Sequence, residues 1–170
     1  MKNLITCLVV CVLSGAVLAD TWTVDDDGKA DFDNIQAAVD AASDGDEIIV
    51  MPGTYTSGAS EVVNMLGKAV TLRSLYPNNP DVVATTIIDG EGLRRGILCN
   101  SDETNKTIIE GLTITGGYSI LGGGMNNYYS SPTLTNCIFT NNTTPQLGGG
   151  MYNWNSDPTL TNCEFTSNTA

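Results

Sequence analysis

The stretch GGGMNNYYSSPTLTNCIFTNN, Gly122 to Asn142, returns 26 residues further on as GGGMYNWNSDPTLTNCEFTSN, Gly148 to Asn168. In register, Met125 falls on Met151, Leu134 on Leu160, Cys137 on Cys163 and Phe139 on Phe165. Shifted back by 25 residues, Leu134, Cys137 and Phe139 meet Ile109, Leu112 and Ile114, so TIIEGLTITGG hides a third copy. A unit this short cannot bury its apolar face alone and has to stack on its neighbours, which is the condition for a solenoid. Short β-rich runs recur at Glu61–Leu66, Ala69–Arg73, Thr86–Ile88, Gly96–Cys99, Thr107–Ile109 and Leu112–Thr115, with Gly, Asn, Ser and Thr between them and no helical period. The expected fold is therefore all-β: a right-handed parallel β-helix in which each copy is one coil. A β-sandwich would supply strands and hairpins but no reason for like residues at a fixed period. A leucine-rich repeat would need a Leu/Asn consensus that is absent.

Coils about 4.8 Å apart place like residues on like. The reading predicts an amide ladder of Asn136 over Asn162, a stacked pair of Phe139 over Phe165, and Cys137 over Cys163 as free thiols acting as small hydrophobes. Parallel in-register side chains do not offer the Cβ approach that a disulfide needs. Gly122–Gly124 over Gly148–Gly150 are expected where side chains would clash. Tyr128 and Trp154 align across coils, with Tyr129 and Tyr152 nearby. They form either a stabilising aromatic ladder or, turned outward, a ligand-binding platform for sugar rings.

The chain opens MKNLITCLVVCVLSGAVLAD. Lys2 precedes an apolar run, and Val17 and Ala19 are small residues at −3 and −1 of a cut before Asp20. Residues 1–19 are expected to be a secretory signal peptide, too short for a transmembrane span, and the protein to be secreted or held at the cell surface. Residues 20–46 are expected to form an N-terminal cap. In it Asp33 would N-cap an amphipathic helix from Asn34 to about Ala42, with Ile35, Ala38, Val39 and Ala42 on one stripe. Residues 47–170 are the coils. The chain stops at Ala170, where a third G-G-G-M is due, so more coils are expected beyond it. Were Ala170 the true end, end-to-end self-association would be the expected way to cover the open edge.

Nineteen acidic residues stand against seven basic ones, Lys2 of the leader included. Nucleic acid is excluded as a partner, since phosphate binding needs clustered Lys and Arg. There is no histidine, which removes Ser-His-Asp and Cys-His catalysis and His-ligated zinc. Asp25 and Asp27, in an acidic turn with Gly28, are the candidate metal ligands, for calcium. The EF-hand spacing fails there, because Thr23 and Asn34 stand at the first and closing ligand places. No other cofactor is expected.

FDNIQAAVDAASDGDEIIVMPGTY resembles the capping region of pectin-lyase-like right-handed β-helix proteins, in which a short helix covers the open end and a P-G-x-Y turn follows the first strand. Gly122–Met125 with Phe139–Asn142, and Gly148–Met151 with Phe165–Asn168, are similar to the G-G-[AG]-[ILM] and F-x-x-N repeats of polymorphic outer-membrane proteins. The resemblance spans most of residues 20–170 and implies a fold more than an activity. The His-Gly and Arg-x-Lys motifs of polygalacturonases are missing, as is the Gly-Arg-Pro-Trp segment of pectin methylesterases. Against the calcium-binding carboxylates and arginine base of pectate lyases, the chain offers only Asp89, Glu91, Arg94 and Arg95 as catalytic candidates. The expected function is a non-catalytic structural, adhesive or glycan-contacting module, with polysaccharide or cell-surface components as partners. The alternative is a polysaccharide lyase or pectinesterase-like enzyme acting on acidic polysaccharides.

Overall fold

The computed structural model describes residues 19–170, so the expected leader lies outside it except for Ala19. The described chain winds through three all-parallel sheets. The first sheet stacks Thr21–Val24, Glu47–Val50, Thr71–Ser74, Ile108–Glu110, Thr133–Thr135 and Thr159–Thr161. The second stacks Gly53–Tyr55, Thr86–Asp89, Thr113–Thr115, Ile138–Thr140 and Glu164–Thr166, and the third Glu61–Asn64, Arg95–Cys99, Met125–Tyr128 and Met151–Trp154. From Glu47 onward the chain visits the sheets in that order, coil after coil, which makes the protein an all-β parallel β-helix.

The register follows from the apolar positions. Ile48, Leu72, Ile109, Leu134 and Leu160 form one column, Tyr55, Ile88, Ile114, Phe139 and Phe165 a second, and Val63, Ile97, Met125 and Met151 a third. The columns meet inside and fill the core as far as Leu134, Phe139 and Met125, while Leu160 and Phe165 of the last described coil are exposed. Phe139 and Phe165 stack with ring centroids 4.8 Å apart and 4° between their planes.

Strands this short need sharp corners, and the left-handed region supplies them. Between the first and second sheets the corner residue is Gly111, then Asn136, then Asn162, at φ 63°, 54° and 51°. Asn enters that region at less cost than most L-residues. Asn162 Nδ2 donates to Asn136 Oδ1 at 3.3 Å, and Asn136 Nδ2 donates to Pro77 O at 3.1 Å and Asn78 Oδ1 at 2.8 Å. A deeper ladder lies one corner on. Asn142 is fully buried; its Oδ1 accepts from Gly117 N at 2.8 Å, while Nδ2 donates to Ile114 O at 2.9 Å and Asn168 Oδ1 at 3.0 Å.

Helix α1, Ile35–Ala41, covers the first coils with Ile35, Ala38 and Val39. Its N-cap is Asn34, whose Oδ1 accepts from Ala37 N at 2.8 Å, and not Asp33, whose carboxylate instead holds Asn34 Nδ2. Gln36 closes the open edge of the third sheet like a short strand: Oε1 accepts from Asn64 N at 2.7 Å and Nε2 donates to Asn64 O at 3.2 Å. α1 has no basic residue in its last turn, and Lys68 from the coil supplies one, donating to Val39 O, Asp40 O and Ala42 O at 2.6–2.8 Å.

Two elements differ from the sequence expectation. A six-residue helix α2, Pro80–Thr85, interrupts one coil, with Asn79 as N-cap and Pro80 in the first turn. Pro52–Gly53, read as a turn alone, leads directly into the strand Gly53–Tyr55.

Replacing Asn142 with Ala strands Gly117 N and Ile114 O in the interior. A loss of about 2–4 kcal/mol is expected, against about 1 kcal/mol or less for Asn141→Gly at the exposed left-handed corner beside it. Chemical denaturation of both variants checks the contrast.

Candidate functional site

Strand alternation decides what the third sheet shows to solvent. In Met125–Tyr128, Met125 and Asn127 point inward, and Asn126 and Tyr128 outward. The neighbouring strand pairs Asn126 with Tyr152 and Tyr128 with Trp154. Tyr128 is 46% exposed and Trp154 49%. The chain then turns at Tyr129, which sits at φ 51°. The next coil places Asn155 at that corner, at φ 47°. A tyrosine in the left-handed region costs about 1 kcal/mol, and its effect is to throw a second ring outward. Tyr129 is 52% exposed and meets Tyr128 edge-on, with centroids 4.8 Å apart. Tyr128, Tyr129 and Trp154 thus form one exposed aromatic face, with Tyr152 beside them.

The four catalytic candidates are brought to one corner between the second and third sheets, where each side chain already has a partner. Asp89 Oδ1 accepts from Glu91 N at 2.7 Å, closing the turn, and the Glu91 carboxylate pairs with Arg94. Arg95 turns toward the neighbouring coil: Nη2 donates to Ser119 Oγ at 2.7 Å and Leu121 O at 3.1 Å, and Nε to Gly122 O at 3.1 Å. Burial pulls the guanidinium below its ordinary pKa, with Glu61 opposing. Arg95 is therefore the clamp on the glycine loop Gly116–Gly124. Gly123 needs to be glycine there, because a Cβ would come within 2.4 Å of Thr143 O.

The acidic turn serves the cap. Asp27 pairs with Lys29, which holds its carboxyl below the usual range. Asp25 Oδ1 receives Asp27 N at 3.4 Å. Asp26 accepts from Thr54 N at 2.9 Å, and Asp31 from Thr23 N and Oγ1 at 2.9 and 2.7 Å. Among the described residues no three His, Cys, Asp or Glu side chains are gathered for a metal ion.

Cys99, Cys137 and Cys163 are free thiols, the first two buried. Cys137 lies well above the ordinary thiol pKa, through the hydrogen bond with Cys163 and through burial. No helix among the described residues is long and apolar enough to cross a membrane. The surface hollows are shallow; one lies along Asn34, Gln36 and Thr56–Gly58, another along Asp44, Ala69, Thr71 and Lys106, and both are clear of the aromatic face. Compared with family models, curated proteins and solved structures, the chain matches none of them.

Tyr128 and Trp154 were legible in the sequence as aligned positions, with Tyr129 nearby, whereas their outward direction came from strand parity and from the strained corner at Tyr129. The structural use of Arg95 carried no local signal, since its partners lie 24–27 residues away.

The clamp makes a definite forecast. Arg95→Met should cost about 2 kcal/mol and raise amide exchange selectively in residues 117–124, read by hydrogen–deuterium exchange mass spectrometry. Uniform exchange across the chain would remove Arg95 from that role.

Proposed function

We propose that this chain is an exported, non-catalytic β-helix module that holds an uncharged glycan on the aromatic face of its third sheet. The observation carrying the reading is Tyr129: a corner that Asn fills in the next coil is given to a bulky ring, and the ring lies beside Tyr128 and the Tyr128–Trp154 row. The ring's aromatic packing is confined to its edge contact with the likewise exposed Tyr128, and strain kept at an exposed corner points to a use outside the fold. Exposed, rigid aromatic rings on neighbouring strands suit the C–H faces of sugars, which stack on them while their hydroxyls keep water. The face is open, which fits a polymer laid across it better than a small molecule enclosed by it. Net charge favours a neutral chain over a uronate, since nineteen acidic residues repel an acidic polymer.

The pectin-lyase-like resemblance and the similarity to outer-membrane repeats support export and surface display within this reading. An enzyme of that group acting on acidic polysaccharide is the second reading. It would have to draw its base from Arg94 or Arg95, whose bonds to Glu91 and to the glycine loop would first have to open.

The test is retention on insoluble neutral polysaccharides, namely cellulose, xylan, mannan and chitin. The unaltered protein is expected to be retained by at least one. Trp154→Ala and Tyr129→Asn should each weaken that retention about tenfold, in line with about 1–2 kcal/mol for a stacked ring. Tyr129→Asn should at the same time raise thermal stability by relieving the corner. Failure of all four matrices to retain the protein, or retention unchanged in the double variant, would sink the proposal.

A further inference from the structure

Asp46 closes the turn between α1 and the strand Glu47–Val50, and it is only 3% exposed. Its Oδ2 accepts from Ser43 N at 2.8 Å and from the Trp22 indole Nε1 at 3.1 Å, and its Oδ1 accepts from Asp20 N at 2.8 Å. These bonds, those from Ser43 and Asp20 foremost, hold the carboxyl below its ordinary pKa. All three donors are neutral groups. The nearby cation, Lys68, spends its three N–H bonds on carbonyls of α1 and its C-cap. The buried carboxylate is thus held by neutral donors alone, and a charged donor in place of any one of them would strengthen that hold.

One of those donors is the residue at which the sequence places the leader cut, between Ala19 and Asp20. Hydrolysis of that bond by a signal peptidase adds one water: the oxygen goes to the Ala19 carbonyl, giving a carboxylate on the departing leader. The Asp20 nitrogen gains protons and becomes an α-ammonium. That nitrogen is already in place, since Asp20 O accepts from Glu47 N at 2.9 Å and Thr21 pairs in register with Glu47.

We propose that removal of the leader converts the Asp20 N–H to Asp46 hydrogen bond into an ammonium–carboxylate ion pair, so that processing itself locks the first strand onto the cap. The inference rests on the export reading for the cleavage step, and on the geometry alone for the ion pair. A charge-assisted bond of this kind is about twice as strong as the neutral one it replaces. It also gives the buried Asp46 the positive partner it lacks in the unprocessed chain.

The charged groups around the new terminus are Asp46, Asp20's own carboxylate, Glu47 with its partner Arg73, and Lys68 beside Asp46. Carboxylates outnumber cations there, which favours the charged ammonium and raises its pKa in the folded protein above the ordinary value of about 8. The added stability is therefore complete below about pH 8 and is lost as pH rises through the raised value. On the acid side it is present above the ordinary aspartate range and is lost as pH falls through the lowered Asp46 value.

The experiment compares the chain 20–170 carrying a free amino terminus with the same chain acetylated there; every strand and helix described lies within those residues. At pH 6.5 the free form is expected to melt about 3–6 °C higher. The gap should close at high pH and vanish in Asp46→Asn. Should that variant not fold, the titration of an α-15N-labelled Asp20 amine is read instead, and a value above the ordinary one is expected. Equal melting of the free and acetylated forms, or an ordinary titration, overturns the ion pair. Intact mass of the exported protein then tests the coupling to processing separately. A first residue other than Asp20 overturns that coupling, and export with it as this cleavage frames it, even where the pair itself is measured.

Discussion

Stacking at one strand spacing is the constraint on which the rest of the protein depends. Once coils lie about 4.8 Å apart, each inward position has to suit the one above and the one below, and three apolar columns follow. Each turn of backbone also has to change direction within two or three residues without widening the stack. Left-handed corner residues do this, and they recur in register as Gly111, Asn136 and Asn162, and as Gly116, Asn141 and Ser167. The buried amide of Asn142 is a consequence. A corner that turns inward leaves Gly117 N and Ile114 O without strand partners, and one side chain with both donor and acceptor satisfies them together.

The first coils face a different problem, because a parallel sheet begins with an edge whose N–H and C=O groups point at nothing. Helix α1 solves it with its apolar stripe and with two side chains, one its own and one from the coil. Gln36 reproduces the pairing pattern of a strand against Asn64, and Lys68 reaches from the coil to the carbonyl end of the helix. The cap and the coils therefore hold each other: the helix finishes the sheet, and the sheet finishes the helix.

These contacts mark the boundary of what the sequence could tell. The late coils were legible down to register, because Leu134 over Leu160 and Phe139 over Phe165 are repeated letters at a repeated distance. The earlier coils were not read as columns: Ile88 stood in a strand run and Tyr55 in a turn, and Tyr55, Ile88 and Ile114 share position without sharing identity. Helix α2 was missed although Asn79 and Pro80 mark its start, because six residues are too few to show a period. In the candidate site, the aligned rings of Tyr128 and Trp154 were visible, whereas the corner conformation of Tyr129 was not. The pairing of Glu91 with Arg94 joins residues three apart and shows in the sequence, but the reach of Arg95 into the next coil depends on the stack.

The acidity of the chain also acquires a structural cause. Asp46 and Glu103 accept backbone N–H groups where the chain turns toward the first sheet, and Asp31 and Asp26 accept them from Thr23 and Thr54 on the edge strands of the first two sheets. Glu103 is the extreme case, buried to 2% exposure, with Gly67 N, Ser101 N and Ser130 Oγ at 2.7–2.8 Å. A carboxylate suits such a place because it accepts several N–H bonds at once, and its charge strengthens each of them. Turns and edges of the parallel stack thus give these carboxylates neutral donors to hold. Four of the nineteen acidic residues therefore have a use inside the fold. An acidic polymer would meet that field on approach, whereas a neutral chain would feel only the local surface, and on the third sheet that surface is aromatic.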